Sequence, residues 1–255
     1  MCIRDSIYMD EDSFIYATNI SFDEYDLLWD NAMPIRRLNG IGNDILIKND
    51  RYPPIGDLYW LEGSVLKGPS KLYDITVMEN DIYVALDRTR GRLFGYDSQG
   101  IMLWAFGTTG NSAGAFSSAI SIEHMDKDLF VLDQNGQYLS FIKNVKDENK
   151  KNAQVNGVNV SLTNPEGVFY HEKADELYVC DTGNQRILVL DGQTYAFKRA
   201  ILRPDNMTGE TEFKPSKITV DNADRIYTVV QSSYEGIIEL NEDCLLYTSP
   251  SPRDA

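Results

Sequence analysis

Hydrophobic and polar residues alternate along the chain in short runs, a pattern typical of β-strands rather than helices. One motif, β-branched with an aromatic residue near its centre, recurs in Phe14-Ile15-Tyr16, Asp81-Ile82-Tyr83-Val84, Asp128-Leu129-Phe130-Val131, Glu176-Leu177-Tyr178-Val179 and Arg225-Ile226-Tyr227-Thr228. Its aromatic positions are separated by 67, 47, 48 and 49 residues. Four copies therefore keep the nearly constant period of a repeat protein, and the first spacing contains an insertion of roughly 20 residues.

Each copy contains several strands. An alternating stretch such as Ile75-Thr76-Val77 precedes the aromatic strand across a short polar turn, which predicts a hairpin. A third strand such as 186–190 follows a Gly-containing turn, and the turn 97–100 leads to a fourth strand at 101–106. Four antiparallel strands in about 48 residues are typical of a β-propeller blade. Because no segment has a long amphipathic helical pattern, the sequence predicts an all-β fold.

One segment carries a family resemblance. Asp181-Thr182-Gly183-Asn184-Gln185-Arg186-Ile187-Leu188-Val189-Leu190-Asp191, preceded by Asn164-Pro165-Glu166-Gly167-Val168, resembles an NHL repeat, the unit of six-bladed β-propellers. Asp87 and Arg92 repeat the spacing of Asp181 and Arg186, whereas Tyr138 stands at that offset from Asp133. We expect each acid and arginine to pair across neighbouring strands.

The resemblance covers residues 72–243 well and 13–48 loosely. It implies a β-propeller of four-stranded antiparallel blades, forming an incomplete six-bladed ring. Residues 7–243 are expected to form this single domain, with about five blades, partial at both ends, and an insertion near 21–71.

Both ends of the chain resemble translated sequencing-adapter sequence, as in a metagenomic fragment. Cys244-Leu245-Leu246-Tyr247-Thr248-Ser249 can be encoded by a transposon end, and the complementary strand of the same DNA encodes Met1-Cys2-Ile3-Arg4-Asp5. We therefore interpret residues 1–6 and 244–255 as adapter-derived.

The polar stretch 143–151 interrupts the repeat pattern. A long outer loop is the preferred interpretation. The alternative is a junction of misassembled sequence near 143–160, because segments like 165–243 precede segments like 72–142 in similar bacterial NHL proteins.

Net charge, hydropathy and cysteine content limit the classes of function. The chain has 24 Lys and Arg against 39 Asp and Glu, a net charge of −15, which disfavours nucleic acid as a partner. No apolar run approaches the roughly 18 residues of a transmembrane helix. Outside the adapter-like ends the only cysteine is Cys180, which lies in an apolar run and is predicted to be a buried thiol.

Candidate catalytic and metal-binding residues are few. His124 and His171 are predicted to be solvated residues of hairpin turns. Residues 133–136 imitate the start of a calcium loop but are predicted to form a turn between strands. Glu166 matches the position of an ion ligand in propeller lactonases, but the corresponding positions hold Tyr73, Ser118 and Ser216. The sequence therefore predicts no catalytic residue, no metal site and no cofactor.

A binding surface is predicted where the turns between second and third strands share a face with the connections between blades. It comprises Arg88, Thr89, Arg90, Asn111, Gln134, Asn135, Asn184, Gln185, Ser233 and Tyr234. Clustered arginines on an acidic protein favour an anionic or carbonyl-rich partner. The insertion adds Tyr52, Tyr59 and Trp60, which form either a lid packed on the propeller or a ligand-contacting surface.

These observations predict a non-catalytic binding or scaffold module for a protein, peptide or glycan partner. Resemblance to exported NHL proteins implies a bacterial, extracytoplasmic protein. The alternative function is a propeller hydrolase or lyase, similar to the lactonases, with an axial metal site.

Overall fold

The computed structural model describes residues 7–10, 12–18, 35–43, 45, 56–57, 60–62, 64–67, 70–78, 82–110, 112, 114–125, 128–133, 138–142, 155–158, 162–207, 212–231, 237–240 and 246–247. Their strands are β1 (Ile7–Met9), β2 (Ile15–Thr18), β3 (Ile35–Leu38), β4 (Trp60–Glu62), β5 (Val65–Lys67), β6 (Leu72–Met78), β7 (Ile82–Asp87), β8 (Arg92–Tyr96), β9 (Met102–Phe106), β10 (Ala119–Met125), β11 (Asp128–Asp133), β12 (Tyr138–Ile142), β13 (Val155–Val158), β14 (Gly167–His171), β15 (Glu176–Asp181), β16 (Arg186–Asp191), β17 (Phe197–Ile201), β18 (Pro215–Val220), β19 (Ile226–Val230), β20 (Ile237–Leu240) and β21 (Leu246–Tyr247).

The strands form consecutive sheets in chain order. Four sheets have four strands each, β6 to β9, β10 to β13, β14 to β17 and β18 to β21, beside the three-stranded sheet β1 to β3 and the hairpin β4–β5. Neighbouring strands are antiparallel, as in the pairing of Tyr178 with Val189 or of Tyr83 with Tyr96. The prediction of an all-β fold built from four-stranded antiparallel blades is confirmed.

The chain divides into two compact units. Unit 1 comprises Met1–Leu129 and Ile142–Val155, and unit 2 comprises Phe130–Phe141 and Asn156–Ala255. Among the described residues, none forms a helix with the length and apolar character needed to cross a bilayer.

The core of unit 1 is built around three tyrosine rings, two of which belong to the repeat motif. Tyr16, Tyr83 and Tyr96 are fully buried, with the Tyr83 and Tyr96 rings stacked at 5.3 Å and the Tyr16 and Tyr83 rings 5.5 Å apart. Burial raises the pKa of the Tyr83 and Tyr96 hydroxyls. Since such rings bury large apolar surfaces, the regular aromatic spacing marks the strands that hold the sheets together.

The core of unit 2 lies between the sheet β14 to β17 and the sheet β18 to β21. Tyr178 and Cys180 of β15 pack in one apolar cluster with Val220 of β18 and Ile238 of β20. Cys180 is fully buried, as predicted, and burial raises the pKa of its thiol.

The predicted Asp–Arg pairs have different outcomes in the two units. Asp181 lies opposite Arg186, and the Arg186 Nε atom is 2.7 Å from Asp181 Oδ2, so this pair is confirmed. Asp87 also lies opposite Arg92, but the Arg92 Nε atom contacts Asp57 Oδ2 at 2.9 Å. The prediction is therefore wrong for the side chains of Asp87 and Arg92, because Asp57 of the insertion supplies a closer carboxylate.

β21 lies in the segment attributed to adapter sequence. Leu246 and Tyr247 pair with Leu240 and Glu239 of β20 and form the outer strand of that sheet.

Candidate functional site

Five residues of the predicted binding surface, Arg90 among them, and one residue of the predicted lid lie within the described part of the chain. In unit 1, Arg88 is half-buried and Thr89 is exposed; in unit 2, Asn184 and Gln185 are exposed. Trp60 begins β4. The predicted contact residues that lie outside the described part of the chain are Asn111, Gln134, Asn135, Ser233, Tyr234, Tyr52 and Tyr59.

Arg90 corrects the predicted surface. Its side chain is 4% exposed, and its Nη1 atom lies 2.7 Å from Ser70 Oγ and 3.4 Å from Asp87 Oδ2. It also donates to the carbonyl of Asp57 at 3.3 Å. Burial raises the pKa of Asp87, although Ser70 and Arg90 act to lower it. Arg90 therefore joins the insertion to the turn after β7 and does not present its charge to solvent.

The turn after β15 in unit 2 is exposed but firmly held. Asp181, which is fully buried, accepts hydrogen bonds from the Thr163 amide at 2.7 Å, from Asn184 Nδ2 at 2.9 Å and from Arg186 Nε at 2.7 Å. Gln185 ends the 3-10 turn in the left-handed conformation, with φ of 55°. Gly183, Asn184 and Gln185 are exposed, so we call residues 183–185 the exposed turn. One buried carboxylate thus fixes the conformation of three exposed residues.

His171 does not lie in a solvated turn as predicted. It is the last residue of β14, its side chain is 6% exposed, and its Nε2 atom is 2.9 Å from Asp224 Oδ1. Lys173 Nζ contacts the other oxygen of Asp224 at 2.8 Å. Hydrogen bonds from Lys173 and His171 lower the pKa of the Asp224 carboxyl. His171 is therefore part of a structural ion-pair group.

His124 also lies in a strand rather than in a turn. It belongs to β10, which packs beside β6 within unit 1, and its side chain is 23% exposed. The Tyr8 ring meets the imidazole edge-on, with centroids 5.9 Å apart. The prediction of a solvated loop histidine is wrong because β10 extends to Met125.

Polar side chains join β6 to β10. Asp74 Oδ2 accepts hydrogen bonds from Ser121 Oγ at 2.8 Å and from the Ile122 amide at 2.9 Å. Thr76 Oγ1 donates to Glu123 Oε1 at 3.1 Å and lies 2.9 Å from His124 Nδ1. We call these residues, Asp74, Thr76, Ser121, Glu123 and His124, the polar seam. All except His124 are buried.

The surroundings of Nδ1 decide which imidazole nitrogen carries the proton. Glu123 Oε1 lies 3.2 Å and Thr76 Oγ1 lies 2.9 Å from Nδ1. Because a carboxylate oxygen only accepts hydrogen bonds, a lone pair on Nδ1 would face the lone pairs of Glu123 Oε1. The arrangement therefore favours a proton on Nδ1, which leaves the lone pair of a neutral imidazole on Nε2.

Sequence reasoning missed the carboxylates of the seam. The available signal was a polar residue at every second position of a first strand, Asp74 and Thr76 in β6 and Ser121 and Glu123 in β10. Alternate side chains of a strand share a face, so this pattern marks a polar face opposite the apolar one.

Glu166, one of the metal candidates of the sequence, lies within the described part of the chain, whereas residues 134–136 do not. Glu166 accepts a hydrogen bond from Gln231 Nε2 at 2.6 Å. Across the described part of the chain, no three or more His, Cys, Asp or Glu side chains come together as a group able to hold a metal ion.

The fold is similar to that of solved β-propeller proteins. Virginiamycin B lyase from Staphylococcus aureus matches with a TM-score of 0.60 and 14% identity, over 97% of this chain and 70% of that chain. A chain of the nidogen/laminin complex matches with a TM-score of 0.62 and 14% identity, over 98% and 80%. A protein of unknown function from Bacteroides caccae matches with a TM-score of 0.62 and 10% identity, over 94% and 78%. No family model and no curated protein matches. The chain has a β-propeller fold.

Proposed function

We propose that this β-propeller is an NHL-type binding or scaffold module that recognises a protein, peptide or glycan partner. The observation that supports it is the exposed turn of unit 2, whose residues Gly183, Asn184 and Gln185 face solvent while the buried Asp181 fixes their backbone. A surface that is already ordered loses less conformational entropy when a partner binds. The Asp181–Arg186 pair supports the NHL assignment because it joins the acid and arginine of the motif.

Partner classes found in structural neighbours are compatible with this proposal. The nidogen/laminin complex shows a protein of this fold class in a complex with another protein. By resemblance to exported NHL proteins, we place the module outside the cytoplasm, which fractionation of the source organism with an antibody would test.

The test is a peptide and glycan array probed with the whole chain and with Gln185→Gly. Glycine adopts the left-handed conformation without strain, so this change removes the side chain and keeps the turn. The matched control is Asp175→Gly, since Asp175 ends the 3-10 turn Glu172–Ala174 with φ of 50° at the opposite end of β15. We expect Gln185→Gly to lose array signals that Asp175→Gly retains. Equal loss from both variants, or retention by both, would overturn the exposed turn as the contact surface.

A lyase or hydrolase is the second candidate, and the polar seam is the observation that favours it. Glu123 and Thr76 hold the Nδ1 edge of His124, which leaves Nε2 able to accept a proton. Incubation with virginiamycin B, followed by chromatography, would show consumption that His124→Gln abolishes and His171→Gln preserves. Unchanged virginiamycin B would count against lyase activity on that substrate.

A further inference from the structure

The outer strand of the sheet β6 to β9 begins with three consecutive exposed apolar side chains. Ile101, Met102 and Leu103 are 51%, 41% and 48% exposed. Among the described strands, β9 pairs only with β8. We call Ile101, Met102 and Leu103 the apolar strip. Large apolar side chains that lie together on the edge strand of a sheet are typical of a contact surface.

A β-bulge sets Leu103 apart from the regular pairing of β9. Met102 lies opposite Tyr96 and Trp104 lies opposite Gly95, which leaves Leu103 as the extra residue between them. The strip therefore follows from the geometry of the strand as well as from its composition.

The turn before β9 holds the strip in place. Asp97 Oδ1 accepts hydrogen bonds from the Gln99 amide and from the Ile101 amide, both at 2.9 Å. The Asp97 amide donates to the Ile101 carbonyl at 3.0 Å. Because the backbone at Ile101 is already fixed, it loses little conformational entropy when a partner contacts the strip.

The outer strand β17 of unit 2 has the same bulge. Phe197 lies opposite Leu190 and Arg199 lies opposite Val189, which leaves Lys198 as the extra residue. A lysine in unit 2 thus occupies the position that a leucine occupies in unit 1.

The two outer strands differ in charge. Lys198 Nζ lies 2.7 Å and Arg199 Nη1 lies 2.8 Å from Glu176 Oε1, so β17 carries two cations and their carboxylate partner. Charged side chains on an edge strand oppose contact with another strand. Residues 101–106 contain no charged side chain, so β9 lacks this protection.

Net charge selects the kind of partner. The chain carries a net charge of −15, so two copies repel each other least where the surface is uncharged. A two-fold axis at Met102 brings this residue against its own copy and brings Ile101 against Leu103 of the second copy. The apolar strip is therefore complementary to itself in both shape class and charge.

We propose that the apolar strip is a contact surface between two copies of this chain, packed across a two-fold axis. Removal of the three apolar side chains from water supplies the attraction. The surface lies in unit 1 and does not depend on the function proposed for the exposed turn of unit 2.

The experiment is sedimentation equilibrium of the full chain over a series of protein concentrations, at low and at high salt. We expect a reversible equilibrium between monomer and dimer. The dimer should be favoured at high salt, because salt screens the repulsion between two acidic chains.

A matched pair of variants locates the surface. Leu103→Lys gives the bulge of β9 the residue that β17 has, and should raise the dissociation constant of the dimer at least about tenfold, because an ammonium group would be buried without a partner. The control is Phe197→Lys, which adds the same charge at a side chain of β17 that is 61% exposed. It should leave the dimer unchanged.

Near-ultraviolet circular dichroism checks that both variants keep the fold. If Leu103→Lys does not fold, Leu103→Gln should raise the dissociation constant by a smaller factor. A monomer at every concentration, species larger than a dimer, a dimer that high salt dissociates, equal weakening by the lysines in β9 and β17, or undiminished association of the Leu103 variants would each overturn the proposal.

Discussion

The first strands of neighbouring sheets meet differently in the two units. In unit 1, β6 and β10 are joined by the buried side chains of Asp74, Thr76, Ser121 and Glu123. In unit 2, β14 approaches β18 through its backbone: a Cβ atom at Gly167 would lie 2.6 Å from the Ser216 carbonyl oxygen. The junction in unit 1 therefore buries a group of polar side chains, whereas the junction in unit 2 includes a close approach of two backbones.

The largest expected effect concerns Asp181, the buried carboxylate of the repeat motif in unit 2. Asp181→Ala removes a fully buried carboxylate that accepts hydrogen bonds from the Thr163 amide, Asn184 and Arg186. We expect a loss of about 3 kcal/mol in the free energy of unfolding, measured by urea titration. Arg186→Ala should cost less, because Asp181 keeps its other two donors. A larger loss from Arg186→Ala would contradict the central role of the carboxylate.

Gly167→Ala tests the backbone junction of unit 2. The new methyl group would collide with the Ser216 carbonyl, and we expect a loss of about 2 kcal/mol in stability. The matched control is Gly40→Ala in unit 1, where nothing lies within 4 Å of the added atom and stability should hold. Thermal unfolding of the two variants provides the measurement. Equal midpoints would show that β14 and β18 tolerate a wider separation.

Substitution of two threonines tests how much each hydroxyl group contributes to stability, one in unit 1 and one in unit 2. Thr76→Val removes a donor to the Glu123 carboxylate, whereas Thr182→Val removes a donor to the Pro215 carbonyl at 2.6 Å. Hydrogen bonds to charged groups contribute more, so we expect losses of about 2 and about 1 kcal/mol. The reverse order in denaturant titration would argue against a charged Glu123.

The last effect is the acid sensitivity of unit 2. Burial acts to raise the pKa of Glu176, but hydrogen bonds from Arg199, Lys198 and Tyr178 outweigh it and lower the pKa to about 2. The stabilisation from these partners is therefore complete above the ordinary value of 4.5 and is lost as the pH falls from there to about 2. Stability measured across this range should fall less steeply in Glu176→Gln. An unchanged slope would assign the acid sensitivity to other carboxylates.

The predictions that were confirmed depended on short-range sequence patterns. The aromatic period identified the central strands, because Tyr83 and Tyr178 both lie in the second strand of a four-stranded sheet. The Asp181–Arg186 pair followed from antiparallel register across a short turn. Both depend only on residues close together in the sequence.

Tertiary partners account for the failures. Arg90 contacts Ser70 and Arg92 contacts Asp57. Both partners belong to the insertion and are distant from the arginines in the sequence. The contact between Thr76 and Glu123 spans 47 residues and joins two different sheets. No local pattern specifies such a pairing. The polar residues at alternate positions of β6 and β10 indicate only that each strand has a polar face.

The reactivity of Cys180 reports how often the core of unit 2 opens. Because its thiol is fully buried, an alkylating reagent can reach it only when the core of unit 2 separates. The labelling rate, followed by mass spectrometry of the peptide that contains Cys180, converts each transient exposure into a permanent mark. That rate follows the fluctuations of unit 2 in the native protein, without denaturant.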